Sequence, residues 1–149
     1  MPTADPVETA ELMYMSIKRM HRLMDAELSQ HGLSLSRTKI LGLLAKGGPQ
    51  QQSAIAHMFD LAPRTITELV DVLERDGLVE RRTDPTDRRA RQVHLTDAGR
   101  ELHQRAVVTR EQLIQRIFGV LSEGQLHDLC ATLWQIDQEV AKAISSQAN

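Results

Sequence analysis

Between residues 81 and 91 the chain holds five arginines, Arg81, Arg82, Arg88, Arg89 and Arg91, against two aspartates, Asp84 and Asp87. The whole chain carries a formal charge of −2, so a mildly acidic body bears one concentrated basic segment. Phosphate attraction is local at physiological salt, where screening acts over about 8 Å. Such a segment can therefore bind DNA despite the negative total. The run Asp84-Pro85-Thr86-Asp87 has turn chemistry, which puts Arg88 and Arg89 at or near a hairpin tip and Arg91 on the returning strand. From a hairpin tip, arginine can enter the minor groove, where narrow A·T-rich stretches concentrate negative potential. A solvated charged loop is the plain alternative. Arg81 and Arg82 flank the hairpin base. Successive strand residues face opposite sides, so one of them can pack or pair inside the fold, and sequence does not say which.

A second group precedes the arginines. Arg64, Thr65 and Thr67 follow Pro63, a good first helical residue. Side chains in the first turns of a helix can reach phosphate, favoured by the free N–H groups, or base edges. An exposed helix face is the competing reading. Glu68 could accept from a cytosine amino group, but a solvent-facing carboxylate is the simpler expectation. Ser53 and residues 50–52 can touch phosphate from a preceding helix, or serve as polar loop residues.

Other chemistries find little support. No glycine-rich phosphate loop, metal-ligand spacing or activated nucleophile is visible, so no catalytic residue, metal or cofactor is expected. The six histidines form no i, i+4 pair. Cys130 stands alone, which excludes an internal disulfide. Beside an apolar seam it reads as a small buried hydrophobe rather than a reactive thiol. Arg19, on the first helix with Lys18, His21 and Arg22, could hold an anionic ligand bidentately, although most of that group reads as a solvated face. Methionines 13, 15, 20 and 24 read as core before pocket. No apolar run approaches the roughly 20 residues that span a bilayer. Residues 1–11 lack a secretory signal pattern, and a cytoplasmic location is expected.

The elements that must position these groups follow from periodicity. Residues 7–30 predict a helix through Met13, Ile17, Met20, Met24 and Leu28, stopped at Gly32. Ser36 is placed to cap a second helix containing Ile40, Leu41, Leu43 and Leu44, closed by Gly47-Gly48-Pro49. A short third helix fits residues 51–59. Beyond Ala62, which lacks a capping hydroxyl, Ile66, Leu69, Val70 and Leu73 define a fourth helix ended by Gly77. The period then changes to two, predicting a β-hairpin from Leu78 to Leu95. Thr96 caps a fifth helix running toward Val120. Residues 122–125 form a capping box with a Leu121/Leu126 staple ahead of the last helix. That helix carries Leu126, Leu129, Leu133, Ile136 and Val140 in a narrow seam suited to another helix. The fold class is thus mainly α with a small β-hairpin wing. One domain spans residues 1–149, with a winged helix-turn-helix lobe at 36–95 and flanking helices at 7–30 and 100–144.

With these elements in place, the text LVDVLERDGLVERRTDPTDRRARQVHLTDAG at residues 69–99 resembles the MarR family of transcription regulators. Weaker helical patterns extend the resemblance over nearly the whole chain. It implies a homodimer built by the first and last helices, two reading lobes, and a pseudo-palindromic operator. It also implies repression relieved by a small, often aromatic or phenolic, effector. Asp87 looks like the family's acidic wing residue, which orients a neighbouring arginine; an ordinary turn aspartate is the alternative. Ala62 and Glu68 depart from the family pattern, in which a hydroxyl cap and a basic residue are common. A competing function is a winged helix that binds protein and has lost DNA reading, for which Glu68, Asp71 and Glu74 on the recognition helix speak.

Overall fold

The computed structural model describes residues 5–85 and 90–147. The chain divides into two compact units, Met1–Arg110 and Glu111–Asn149. In the first, helix α1 (Pro6–Ser29) begins under Asp5, whose carboxylate accepts from the N–H groups of Val7 and Glu8. It ends where the Leu33 N–H returns to the Leu28 carbonyl around Gly32, held at φ +72°. Of its apolar stripe only Met24 and Leu28 are buried; Met13, Met15 and Ile17 lie exposed, contrary to a core role for the whole row. Helix α2 (Leu35–Gly47) is capped by Ser34 rather than Ser36. The Ser34 hydroxyl accepts from the Arg37 N–H at 3.2 Å, and Ser36 already lies inside the helix. The Asp25 carboxylate receives the Leu35 N–H at 2.6 Å, tying the start of α2 to α1.

Strand β1 (Gln50–Gln51) leads directly into α3 (Gln52–Phe59), and α4 (Pro63–Arg75) follows after Asp60, a left-handed residue at φ 50°. Ala62 supplies no side-chain cap to α4, as its methyl group requires. Strands β2 (Val79–Thr83) and β3 (Arg91–Leu95) pair antiparallel in the register Val79↔Leu95, Arg81↔Val93, Thr83↔Arg91. The expected two-stranded hairpin is part of a three-stranded sheet, because Gln50 and Gln51 pair with Val93 and Gln92 and make β3 the central strand. Ile40 and Leu41 of α2, Ile55 of α3, Ile66, Val70 and Leu73 of α4, and Val93 of β3 are each no more than 1% exposed and form one aliphatic core.

Helix α5 (Asp97–Phe118) starts with Thr96, whose hydroxyl accepts from Gly99 N–H at 3.0 Å and donates to the Gly77 carbonyl at 2.8 Å. A Cβ at Gly99 would lie 2.0 Å from the Leu78 carbonyl oxygen, so this approach of α5 to the strand entrance admits glycine alone. Further along, the His103 ring rests on Gly42 of α2, its Cε1 3.1 Å from where a Cβ would be. Burial, reinforced by the nearby Lys46 charge, holds the His103 pKa below its ordinary value.

The second unit contains helix α6 (Glu123–Gln147). Its N-terminus is the expected capping box: Gln125 N–H donates to the Ser122 hydroxyl and Ser122 N–H to the Gln125 side-chain oxygen. No α6 residue among those described is buried. Cys130, expected as a buried packing residue, is therefore exposed. Among the described residues, no helix is long and apolar enough to cross a membrane.

Candidate nucleic-acid interface

Helices α3 and α4 with the β2–β3 pair bring most of the predicted contact residues into one lobe. Ser53 is exposed in the first turn of α3, and Arg64, Thr65 and Thr67 are exposed in the first turns of α4. Arg91 is exposed at the start of β3. Asp87, Arg88 and Arg89 lie outside the described residues. Arg19 is exposed on α1, well separated in sequence from this group.

The side chains on α4 are not equally available. Arg64 Nε donates to Glu68 at 3.0 Å across one helical turn, with both groups largely in solvent. The Thr67 hydroxyl donates to the Pro63 carbonyl and accepts from Gln52 Nε2 at 3.2 Å. Thr67 is thereby engaged by α3, whereas Thr65 makes no such bond among the described residues.

Gln52 links two parts of the lobe. While its amide nitrogen holds Thr67, its oxygen accepts from Arg81 Nε at 2.9 Å. Arg81 is the inward-facing member of the Arg81/Arg82 pair, with its side chain 13% exposed. One terminal nitrogen meets Asp71 at 2.5 Å and the other meets Glu74, whose carboxylate also receives the Arg81 N–H at 2.8 Å. That backbone bond, with the guanidinium behind it, holds the Glu74 carboxyl below its usual range despite partial burial. Burial opposes the Arg81 charge, but the pairing with Asp71 and Glu74 outweighs it and raises its pKa. The network joins α3, α4 and β2 through charge-assisted bonds, and so fixes how α4 sits on the sheet. Arg82 points outward and pairs with Glu80.

Asp84, just beyond β2, is 4% exposed. Its carboxylate accepts from Gln92 at 2.9 Å and Gln51 at 3.2 Å, and its N–H donates to the Ala90 carbonyl at 3.0 Å. One acidic group thus gathers all three strands at the base of the wing. Sequence reasoning reads Asp84 only as a turn residue. The signal is the pair of glutamines, uninformative until β1 is known to join the sheet.

The three acidic residues of α4 are all paired with arginine, Glu68 with Arg64 and both Asp71 and Glu74 with Arg81. They do not form the free acidic face that a protein-binding alternative requires. Among the described residues, no group of three histidine, cysteine or carboxylate side chains could hold a metal ion.

Residues 33–90 match the model of the MarR family. An uncharacterised HTH-type transcriptional regulator of Bacillus subtilis, YkoM, is 32% identical over 76% of this chain and 72% of its own length. The HTH-type transcriptional repressor IacR of Pseudomonas putida is 28% identical over 86% of this chain and 79% of its own. Among solved structures, a mutant MarR from E. coli complexed with operator DNA superposes with a TM-score of 0.73 at 21% identity, covering 85% of this chain and 91% of the other.

Proposed function

This chain belongs to the MarR family of transcription regulators, and on that premise we propose that it is a homodimeric, sequence-specific repressor acting in the cytoplasm. It holds a pseudo-palindromic operator and releases it when a small effector, of the aromatic or phenolic class, binds. The observation that carries the DNA-reading part is the Gln52–Arg81 network. It neutralises Asp71 and Glu74 and leaves the Arg64 and Thr65 end of α4 facing solvent. Base reading then falls to the first turns of α4, phosphate contact to Ser53 and Arg91, and minor-groove contact to Arg88 and Arg89, oriented by Asp87. Thr67 contributes chiefly by bracing α4 against α3. The likeness to an operator-bound MarR and to the repressor IacR supports the same reading.

Dimerisation is supported by α6 itself. Leu126, Leu129, Leu133, Ile136 and Val140 stand in one row, each 36–50% exposed, an apolar stripe that water disfavours and a second copy would cover. Two recognition helices must then stand about 34–36 Å apart to enter successive major grooves. An effector acts only by preferring one spacing over another. Arg19 is our candidate for its anionic group.

A titration against promoter DNA over a salt series tests the proposal. A steep fall in affinity with salt and a discrete footprint are expected. Alanine at both Arg88 and Arg89 should weaken binding and lower the salt slope by about 1 for each phosphate no longer neutralised. Weak binding that ignores both sequence and salt would overturn the function.

A further inference from the structure

The Arg64–Glu68 pair has a geometry that a helix-stabilising ion pair does not need. Arg64 is 90% and Glu68 65% exposed, so water screens the pair and its contribution to stability is small. Yet the bond uses Arg64 Nε, which leaves the two terminal nitrogens of the guanidinium as an open fork. On Glu68 the bond occupies Oε1 and leaves Oε2 free. Neither side chain has another partner among the described residues. The pair sits in the first turns of the helix proposed to enter the major groove. There a carboxylate facing phosphates is repelled unless it meets a donor.

One kind of base pair suits both halves at once, offering paired acceptors to Arg64 and a donor to Glu68. A guanidinium fork matches guanine O6 and N7, and a carboxylate matches the cytosine N4 amino group. Guanine O6 and cytosine N4 lie side by side on the major-groove edge of one G·C pair. Four residues of helix advance about 6 Å, nearly two steps of about 3.4 Å between stacked bases. The bond between Arg64 and Glu68 at 3.0 Å draws the two side-chain ends together, so they address the same or adjacent pairs. We propose that Arg64 and Glu68 form a single reading unit for G·C sequence in each half-site, Arg64 donating to guanine while Glu68 accepts from cytosine and holds the guanidinium in place. Glu68 is then a specificity residue that also suppresses binding to unrelated DNA. This inference rests on the DNA-reading function proposed above.

Selection of bound duplexes from a randomised library, using the full chain and its Glu68→Gln, Arg64→Ala and doubly substituted forms, tests it. Both positions are exposed, and circular dichroism of each variant is the check that it stays folded. The wild-type motif should contain a G·C position in each half-site. Glu68→Gln should lower the preference there about five- to tenfold while raising affinity for unrelated duplexes, and Arg64→Ala should lower it by about 5- to 150-fold. The double variant should fall short of the two single effects combined, as members of one unit do. An unchanged motif in Glu68→Gln, even with uniformly tighter binding, would reduce Glu68 to a repulsive charge and overturn the reading unit alone. A wild-type protein that enriches no motif would overturn the DNA-reading function, and this inference with it.

Discussion

Arg81 and Arg82 are adjacent and chemically identical, yet one braces the lobe and the other faces water. The pleat separates them: Arg81 projects toward α4, where Asp71 and Glu74 stand, and Arg82 projects outward to Glu80. Arg81→Ala should lower unfolding free energy by about 1–3 kcal/mol, because it removes the guanidinium from Asp71, Glu74 and the Gln52 oxygen, leaving Glu74 only the backbone N–H of residue 81. Arg82→Ala should change it by less than about 0.5 kcal/mol. Urea titrations of both variants measure the difference. His103 gives a pH signature of opposite kind. Its folded pKa lies below the unfolded value of 6.5. Below that value the unfolded chain takes up a proton that the native state refuses, and stability falls with pH until the native histidine also protonates. The urea midpoint should be flat from pH 8 to 7 and decline below about 6.5, and His103→Gln should remove that part of the decline.

At the scale of elements, the segment from Thr96 to Gly99 controls how α5 leaves the wing. The Thr96 hydroxyl bridges the Gly77 carbonyl and the Gly99 N–H, and the missing side chain of Gly99 lets the helix touch the Leu78 carbonyl. Gly99→Ala should cost about 1–3 kcal/mol through overpacking against backbone that has little room to retreat. The thermal midpoint measures this, and an unchanged midpoint would mean that α5 can shift without consequence. The outer side of the same sheet shows a different dependence. β1 contributes two residues, yet Gln51 supplies one of the donors that hold Asp84. The wing base thus depends on a strand too short to show any alternating pattern.

For the whole molecule, the exposed row on α6 is the feature that a single chain does not account for. Substituting Leu133 and Ile136 by Asp would place charge in the proposed dimer seam, where burial without a partner is prohibitive. The expected result is a monomer in a solution mass measurement, with weakened operator binding because the two half-sites, once linked, are then bound in separate events. A persistent dimer would move the interface away from this row. Cys130 offers a coupled readout, since an exposed thiol on the same helix should react more slowly in the dimer than in the monomeric variant.

Local chemistry determined most of the architecture from sequence alone. Apolar spacing located the helices, turn residues located the hairpin, and the capping box at residues 122–125 was correct to the atom because its partners lie three residues apart. The concentration of arginine between residues 81 and 91 is a matter of composition within one short segment, although Arg88 and Arg89 lie outside the described residues. What the tertiary structure decided were partnerships across distance. Gln52 meets Arg81 29 residues away, and Gln51 meets Asp84 across 33. Those pairings, with the ladder of Gln50 and Gln51 on β3, chose which arginine turns inward, made a strand of two glutamines, buried an aspartate, and neutralised two carboxylates that in the bare sequence argue against DNA. Each depends on the relative placement of α3, α4 and the sheet, and no local preference of the residues involved contains that information.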